Sequence, residues 1–536
     1  MTHPKHSARR LAVALAAIGF AHASAATSAA AETARYGDAP RGFYQIVAHG
    51  DEVFAALAGT IEDSMADPVT YPPGTRPGAV LVFDAATLQL KQEIPLQADA
   101  GALALNLAKN QLVVGHTHHH AVSTIDLDTR QTRYHELDTR HGDAFYRVRY
   151  VTADAQGDLY VSAYDWRSPF QSAVFKFGPS GQKAPGFAVQ PFDGFSLPVF
   201  ITSRFSTDGQ PQLLHGSAQV RAADLQTGAV EYQSASPIRS TGQEAVSFYN
   251  YIEGPGNTII ATNNFSWFDG SQGDPNLYLF ERGKESQPQP LFTANTALEA
   301  IYHPQASQLY ATSFGSYFNG KGAQVLSIIG IDGSQPFGQS RFENIRFDNA
   351  VPNSLAMRRS DAGTDLFVTL RMPAIQIARV RIAPDVKGID GIRTPGACSV
   401  TIWNFESRDT LAPVPCDFVD IEQQFKDNLQ SAQAFAQSAP QKLKEAEEAA
   451  AASRKALADA QTELAAKPDD AERKKALETA RYAAQINDFM LIATSRSAAS
   501  AERAVTGARQ FLLDYQEQNR ASHANHADGR AVRKKD

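Results

Sequence analysis

Hydrophobic and polar residues alternate in two different ways along the chain. From about Gly42 to Pro395, short runs of β-branched and aromatic residues are separated by turns rich in Gly, Pro, Asp and Asn. This pattern predicts many short antiparallel strands. After Cys416, apolar or small residues instead recur every three or four positions, from 418 to 464 and again from 477 to 515. That spacing is typical of a coiled-coil seam and predicts two long helices.

The strand-rich region repeats itself seven times. We interpret each unit as an apolar strand, a polar loop, a second strand that ends near a turn, and a third run. The turns fall at positions 84, 126, 178, 224, 281, 332 and 383, which are 42 to 57 residues apart. Units of this length predict a seven-bladed β-propeller with four-stranded blades over 42–395, a ring without open sheet edges. An array of two-sheet sandwiches is the alternative, and the sustained period favours the ring.

Several of these runs carry a resemblance to a known repeat. Residues 112–129 read LVVGHTHHHAVSTIDLDT, and further runs of the same kind begin at Leu159, Ile259, Leu309 and Leu366. They resemble the repeat of the YVTN-type seven-bladed propellers of the bacterial envelope, in which a Tyr-Val strand and a polar turn precede a Val-x-Val-Ile-Asp strand. The resemblance covers about two-thirds of the chain. It implies the propeller fold and no particular activity, because propellers host many activities.

A connector over 396–416 follows the repeats and contains the two cysteines of the chain, Cys398 and Cys416. In an oxidising compartment we expect these cysteines to pair. Two free buried thiols are the alternative.

Residues 417–518 are predicted to form an antiparallel helical hairpin. Pro468 stops the first helix, and Asp469, with Glu472 three residues later, is placed to cap the second. Pro440 is expected to kink or split the first helix. The polar tail 519–536, basic at its end, is predicted to be disordered.

The first 25 residues have the features of a signal peptide. Lys5, Arg9 and Arg10 precede a short apolar run and small-residue cleavage sites at 23 and 25. We therefore expect cleavage, a loose leader over 26–41, and a periplasmic or secreted protein; an N-terminal membrane anchor is the alternative. Removing these three positive charges changes the formal net charge from −7 to −10. An acidic chain is a poor general binder of nucleic acid, and we expect none as a partner.

Histidines are concentrated in one turn of the second unit. Six of the 14 histidines lie between His116 and His141. In strand geometry His116, His118 and His120 would share one face, and three imidazoles could bind a divalent transition metal such as zinc, copper or nickel. The alternative is a solvated polar turn that happens to be rich in histidine.

Aromatic and polar residues are concentrated in the loops that a propeller would place on one face. We predict that this face binds a ligand, because aromatic concave surfaces with a few polar groups are typical binding sites. The candidate ligand-binding residues are Tyr146, Arg147, Asp165, Trp166, Arg167, Tyr249, Asn264, Trp267 and Tyr317. The alternative is that such aromatics pack between blades.

These features predict an exported propeller that binds a small ligand or an envelope protein through its loop-rich face, with the helical hairpin as an arm for docking or oligomerisation. The catalytic residues are unknown, because the Gly-x-Ser-x-Gly, His-Glu-x-x-His and Cys-x-x-Cys motifs are missing. A metal-dependent propeller enzyme, for example a lactonase-like hydrolase using Glu299 and Asn353 or an oxidoreductase, is the first alternative. A structural envelope scaffold is the second.

Overall fold

In the described part of the chain, seven antiparallel sheets of four or five strands follow one another, as predicted, with one two-stranded sheet between the second and the third. The structure is a computed structural model that describes residues 41–532 except 61–77, 118, 142–143, 166–170, 188–191, 194–197, 217–218, 238–247, 264–274, 285–287, 292, 294–295, 315–323, 332, 334–335, 348–349 and 387. In each sheet, strands that are consecutive in sequence are neighbours, so every blade is built from one continuous segment.

The strands of the first four blades are as follows. Blade 1 comprises β1 (Arg41–His49), β2 (Glu52–Thr60), β3 (Ala79–Asp84) and β4 (Leu90–Pro95), and blade 2 comprises β5 (Leu103–Asn106), β6 (Gln111–Gly115), β7 (Ala121–Asp126) and β8 (Thr132–Glu136). A two-stranded pair, β9 (Arg140–His141) and β10 (Ala144–Phe145), precedes blade 3, which comprises β11 (Arg147–Ala153), β12 (Leu159–Asp165), β13 (Gln171–Phe177) and β14 (Phe192–Asp193). Blade 4 comprises β15 (Val199–Thr202), β16 (Gln212–His215), β17 (Arg221–Asp224) and β18 (Val230–Gln233).

The remaining blades complete the ring. Blade 5 comprises β19 (Phe248–Glu253), β20 (Thr258–Asn263), β21 (Leu277–Glu281) and β22 (Gln289–Leu291), and blade 6 comprises β23 (Thr296–His303), β24 (Gln308–Phe314), β25 (Val325–Gly330) and β26 (Phe342–Arg346). Blade 7 has five strands, β27 (Ala350–Ser360), β28 (Gly363–Pro373), β29 (Gln376–Ile382), β30 (Cys398–Asn404) and β31 (Val414–Pro415). The first strand of each blade contacts the first strand of the next, and β27 contacts β1, which closes the circle.

The hydrophobic core is divided among the spaces between neighbouring blades. In β20, which is buried along its whole length, Ile259 and Ala261 pack toward blade 4 while Ile260 packs toward blade 6. Because alternate side chains of a strand point to opposite faces, a sheet covered on both sides needs an uninterrupted apolar run. This explains why the central strands read as continuous hydrophobic segments in the sequence.

The repeated acidic residues seen in the sequence make a repeated turn. Asp84 Oδ1 accepts hydrogen bonds from the backbone N–H and the hydroxyl of Thr87, both at 2.8 Å. Asp126 with Thr129 and Asp224 with Thr227 make the same pair of bonds. These Asp-x-x-Thr turns join the third strand of a blade to the fourth.

The sequence analysis interprets the apolar runs before these turns as the second strands of the repeated units. The structure shows that this is wrong by one strand. The runs that end near the seven turns are third strands: β3, β7, β13, β17, β21, β25 and β29. The additional strand in each blade is the innermost one. Those inner strands include Tyr44, Gln45, Arg149 and Glu299, and such residues interrupt the apolar pattern that reveals the other strands.

The outer part of blade 7 covers blade 1. The indole of Trp403, which is fully buried, packs edge-on against Phe83 with 4.8 Å between ring centroids. The Thr410 hydroxyl donates a hydrogen bond to the carbonyl of Leu88 at 3.0 Å. Contacts at both the inner and the outer strands therefore join the last blade to the first.

The two cysteines form the predicted disulfide. Cys398 begins β30, Cys416 follows β31, and their Cα atoms are 5.5 Å apart. Cys398 is 6% exposed and belongs to the core between blades 6 and 7. The bridge therefore fixes the point at which the chain leaves the propeller.

Two long helices follow, α1 (Ile421–Ala466) and α2 (Ala471–Val532). They contact one another in opposite chain directions: Gln516 bonds Glu422 near one end, and Arg454 pairs with Asp488 near the other. No helix among the described residues is long and apolar enough to span a membrane. α2 extends past the boundary predicted at 518. The disorder predicted for 519–536 stays a prediction.

Two local predictions for the helices need correction. The residue that caps α2 is Asp470 and not Asp469, because α2 begins at Ala471 and Asp470 Oδ1 accepts the N–H groups of residues 472 and 473. The first helix is not split at Pro440, and the alternative of a kink there stays a prediction. Pro440 is exposed, so the carbonyl that loses its helical partner can be hydrated.

The start of α1 is attached to blade 6. Asp420 caps the helix by accepting the N–H of Gln423 at 3.0 Å. Buried Asn344 of β26 donates a hydrogen bond to the side chain of Gln424 at 2.8 Å, and Phe342 packs near Ile421 and Phe425. The helices are thus joined to the propeller by non-covalent contacts in addition to the chain.

Candidate functional site

The strand ends that border the candidate binding residues lie at one end of the ring, which we call the mouth. Because the four strands of a blade are antiparallel, each loop between its second and third strands lies at the same end as the connection to the next blade. Each inner strand therefore begins at the mouth and runs away from it. The residues early in the inner strands line the channel just below the mouth.

Five of the inner strands are irregular near the mouth. The pairing register shifts between Phe43 and Ile46, and between Val148 and Tyr150. Equivalent shifts occur in β19, β23 and β27. A bulge leaves extra residues outside the ladder and redirects their side chains. The residues within these five shifts are Tyr44, Gln45, Arg149, Tyr249, Leu298, Glu299, Asn353 and Ser354.

Arg149 reaches across the channel. Its guanidinium carbon lies 5.8 Å from the ring centroid of Tyr44 in blade 1, 5.4 Å from that of Tyr150 and 5.7 Å from that of Tyr249 in blade 5. It also donates a hydrogen bond to the Tyr249 hydroxyl at 3.3 Å. Blades 1, 3 and 5 are not neighbours, so these contacts can only be made inside the ring. We call Tyr44, Arg149, Tyr150, Tyr249 and Arg371 the channel cluster.

The other members hold this arrangement in place. The Tyr150 hydroxyl donates to the backbone carbonyl of Tyr249 at 3.1 Å. The guanidinium of Arg371, near the mouth end of β28, lies 6.0 Å from the centroid of the Tyr44 ring. Each ring–guanidinium contact contributes roughly 0.5–2 kcal/mol, depending on its exposure to water.

Glu299 connects four blades beside this cluster. Its Oε2 accepts hydrogen bonds from the Ser354 hydroxyl at 2.6 Å and the Leu355 N–H at 3.1 Å, and its Oε1 accepts one from Gln45 at 3.3 Å. Gln45 in turn accepts the N–H of Leu103 in blade 2 at 2.7 Å. Burial raises the pKa of Glu299, although these donors and the charge of Arg149 partly oppose the shift.

Asn353 also joins neighbouring blades. Its side-chain N–H group donates to the backbone carbonyl of Tyr44, across the closure between blades 7 and 1. Glu299 and Asn353, the residues considered for a lactonase-like calcium site, are therefore both engaged in bonds between blades. These contacts favour a role for both in ring closure.

The histidine segment forms a turn between β6 and β7, so the alternation expected of a strand does not apply to it. His116 is fully buried, with Nδ1 on the backbone carbonyl of Asp99 and Nε2 2.8 Å from the Ser123 hydroxyl. Burial lowers its pKa, so a neutral ring donates from Nδ1 and accepts at Nε2.

The neighbouring histidines are placed differently. His119 pairs with the Asp99 carboxylate at 2.9 Å, and His120 is partly buried. His118 lies outside the described residues. No group of three potential metal-binding side chains occurs within the described part of the chain, and the transition-metal site at His116, His118 and His120 stays a prediction.

The structure brings together only some of the residues predicted to bind ligand. Tyr249 belongs to the channel cluster, and Arg147 is buried beside Tyr164, with which it shares a side-chain hydrogen bond. Tyr146 is 1% exposed and packs in the core between blades 2 and 3. Asp165 ends β12, opposite Gln171. The remaining residues fall outside the described ranges: Trp166, Arg167, Asn264, Trp267 and Tyr317.

Sequence reasoning missed Tyr44, Arg149, Tyr150 and Arg371. The available signal was the segment Arg147–Tyr150, in which two arginines and a tyrosine interrupt a run otherwise suited to a strand. Charged residues in a predicted inner strand mark the wall of a channel, since a strand covered on both faces would be apolar.

Comparison with known proteins adds little to this picture. No family model and no curated protein sequence matches the chain. A solved structure of hydrazine synthase from Kuenenia stuttgartiensis has a TM-score of 0.43 and 14% identity, over 74% of this chain and 98% of that chain. The structure of dihydro-heme d1 dehydrogenase NirN in complex with DHE has a TM-score of 0.35 and 13% identity, over 72% of this chain and 77% of that chain. The β-propeller domain of Cps50 (Swd1) from Myceliophteria thermophila has a TM-score of 0.37 and 11% identity, over 62% of this chain and 96% of that chain. Because these TM-scores are all below 0.5, the propeller assignment rests on the strand order and the closed ring described above.

Proposed function

We propose that this protein is an exported, periplasmic propeller that binds a small ligand at the mouth of its channel. The observation that carries the proposal is the position of Arg149, whose guanidinium contacts tyrosines from blades 1, 3 and 5. A cationic side chain held rigidly among aromatic rings provides both charge and apolar surface for a bound molecule. The cluster lies inside the ring, just below the mouth.

Export is supported by two features. The N-terminal residues have the pattern of a signal peptide. The Cys398–Cys416 bridge, which accounts for all cysteines, is the kind of bond that persists in oxidising compartments. Cell fractionation with a non-reducing gel tests this part: we expect the processed, oxidised chain in the periplasm, and a reduced chain in the cytoplasm would contradict it.

Ligand binding is tested by thermal-shift measurements on the purified exported protein, with a panel of amino acids, sugars, nucleotides and organic acids. We expect at least one compound to raise the melting temperature of the native protein. The same compound should not raise the melting temperature of Tyr249→Ala. Tyr302→Ala, which changes a tyrosine near the far end of an inner strand, is the matched control and should respond like the native protein. The proposal falls if Tyr249→Ala responds to every compound as the native protein does.

A further inference from the structure

Two arginines of the channel cluster have no counter-ion among the described residues. Arg149 and Arg371 both lie over the ring of Tyr44, at 5.8 and 6.0 Å from its centroid. Neither makes an ion pair with a described carboxylate, and Arg371 Nε is a buried donor without a hydrogen-bond partner. Among the described residues, some partly buried arginines elsewhere do have carboxylate partners: Arg130 pairs with Glu52, and Arg381 pairs with Asp365.

One carboxylate of the inner strands, that of Glu299, feels the charge of Arg149, but its hydrogen bonds go to other groups. Glu299 is 8% exposed, and its oxygens accept bonds from Ser354, Leu355 and Gln45. Its charged form is disfavoured by burial. The cluster therefore holds two guanidinium groups, which stay charged at every physiological pH, with little compensating negative charge.

The arrangement is assembled from distant parts of the chain. Arg149 comes from a bulge in β11, Arg371 from the end of β28 and Tyr44 from a bulge in β1. Like charges brought together in a partly buried channel destabilise the fold unless an anion offsets them.

We propose that the ligand of this site carries an oxyanion, a carboxylate or a phosphate, that binds against Arg149 and Arg371. The planar guanidinium group donates paired hydrogen bonds that match both kinds of oxyanion. Both arginines contact the ring of Tyr44, and Arg149 also donates a hydrogen bond to Tyr249, which reduces the side-chain freedom lost on binding. This inference rests on the proposed function, since it names the chemical class of the molecule bound at the mouth.

Calorimetric titration of the native, oxidised chain with inorganic phosphate and, separately, with succinate tests the inference at low ionic strength, where screening is weak. We expect one of the two anions to bind at one site. The arm that binds identifies phosphate or carboxylate as the preferred group. Arg149→Gln should weaken this binding about tenfold or more, as expected for loss of a charge-assisted hydrogen bond.

A matched control is Arg130→Gln. Arg130 also lies over an aromatic side chain, that of Phe54, at 5.3 Å from its centroid, but it forms an ion pair with Glu52. Arg130 belongs to the turn after β7, which is at the end of the propeller opposite the mouth. Its substitution should leave anion binding unchanged. If Arg149→Gln does not fold, as judged by circular dichroism, then Arg371→Gln provides the same test.

Three results separate this inference from the proposed function. If neither anion binds, or if either binds equally well to the native and the arginine-substituted chains, the oxyanion inference is overturned. If in that case a neutral compound still depends on Tyr249, the proposed function stands without it. If the binding of every compound and of both anions is the same in the native protein and in all channel variants, the proposed function and the oxyanion inference are both wrong.

Discussion

The carboxylate of Glu299 accepts a hydrogen bond from the Ser354 hydroxyl at 2.6 Å, which ties the inner strand of blade 6 to that of blade 7. With the bond from Gln45, the same carboxylate also reaches blade 1. Since blade 7 meets blade 1 at the ring closure, one buried acidic side chain stabilises the point at which the circle is completed.

Glu299→Gln should be tolerated, whereas Glu299→Ala should lower the free energy of unfolding by about 2–4 kcal/mol, because three buried donors lose their acceptor. The pKa of Glu299 is raised in the folded protein, so its contribution to stability is present below the unfolded pKa, near 4.5, and declines as pH rises through the folded value. Glu299→Gln should therefore gain stability relative to the native protein as the pH increases.

Urea denaturation at several pH values measures both effects. Glu406→Gln, which changes an exposed acidic residue of blade 7, is the control and should follow the native curve. Equal stability of the alanine and glutamine variants at neutral pH would contradict the assigned role.

The buried histidine His215 should make the propeller sensitive to acid. Burial and the nearby charge of Arg221 lower its pKa to about 3. Because the unfolded chain binds a proton below about pH 6.5 and the folded chain does not, stability falls as pH decreases from there toward 3. This residue alone contributes a slope of about 1.4 kcal/mol per pH unit.

His215→Asn should reduce that slope by the same amount in denaturation experiments between pH 7 and pH 4.5, whatever its effect on stability at neutral pH. His49→Asn is the control, since His49 is exposed. Parallel pH profiles for the native protein and His215→Asn would count against a buried neutral histidine.

Trp403 is expected to be a main contributor to closure at the outer strands. It is fully buried and packs against Phe83 and Phe43 of blade 1. Trp403→Ala should lower the free energy of unfolding by about 3–5 kcal/mol. Leu411→Ala, in the same segment but 53% exposed, should change it by less than about 0.5 kcal/mol. Similar small effects for both would show that this contact does not hold the ring together.

The strand-rich fold could be predicted because its determinants are local. The apolar third strands recur every 42 to 57 residues, and three of them end in an Asp-x-x-Thr turn; both features are visible in short stretches of sequence. The disulfide was equally accessible, since two cysteines allow one pairing.

The channel cluster could not be predicted in the same way. Arg149 follows Tyr44 by 105 residues and Tyr249 follows Arg149 by 100, and nothing local indicates that a bulge turns each of them into the ring. The histidine prediction had the same weakness. It assumed strand alternation over 116–120, where the chain in fact forms a turn that directs His116 inward.

The disulfide should contribute measurably to stability. It closes a loop with a sequence separation of 18 residues, and the double substitution of Cys398 and Cys416 by serine should cost about 3 kcal/mol. Guanidinium denaturation of the native protein with and without a reductant gives the comparison, and the reduced native protein should match the double variant. An unchanged midpoint on reduction would contradict this expectation.

The attachment of α1 to blade 6 gives the last prediction. Asn344 is fully buried, accepts a hydrogen bond from Ser327 at 2.7 Å and donates one to Gln424 at 2.8 Å. Asn344→Ala leaves the buried side chain of Gln424 without this partner, which should destabilise the attachment of α1 by about 1–3 kcal/mol. Amide hydrogen exchange over residues 421–435 should therefore accelerate by roughly tenfold, while the inner strands exchange as before. Gln423→Ala is the control, because the side chain of Gln423 is exposed and hydrogen-bonds Asp427 of the same helix. Unaltered exchange in Asn344→Ala would mean that the apolar contacts of Ile421 and Phe425 suffice to hold the helix on the propeller.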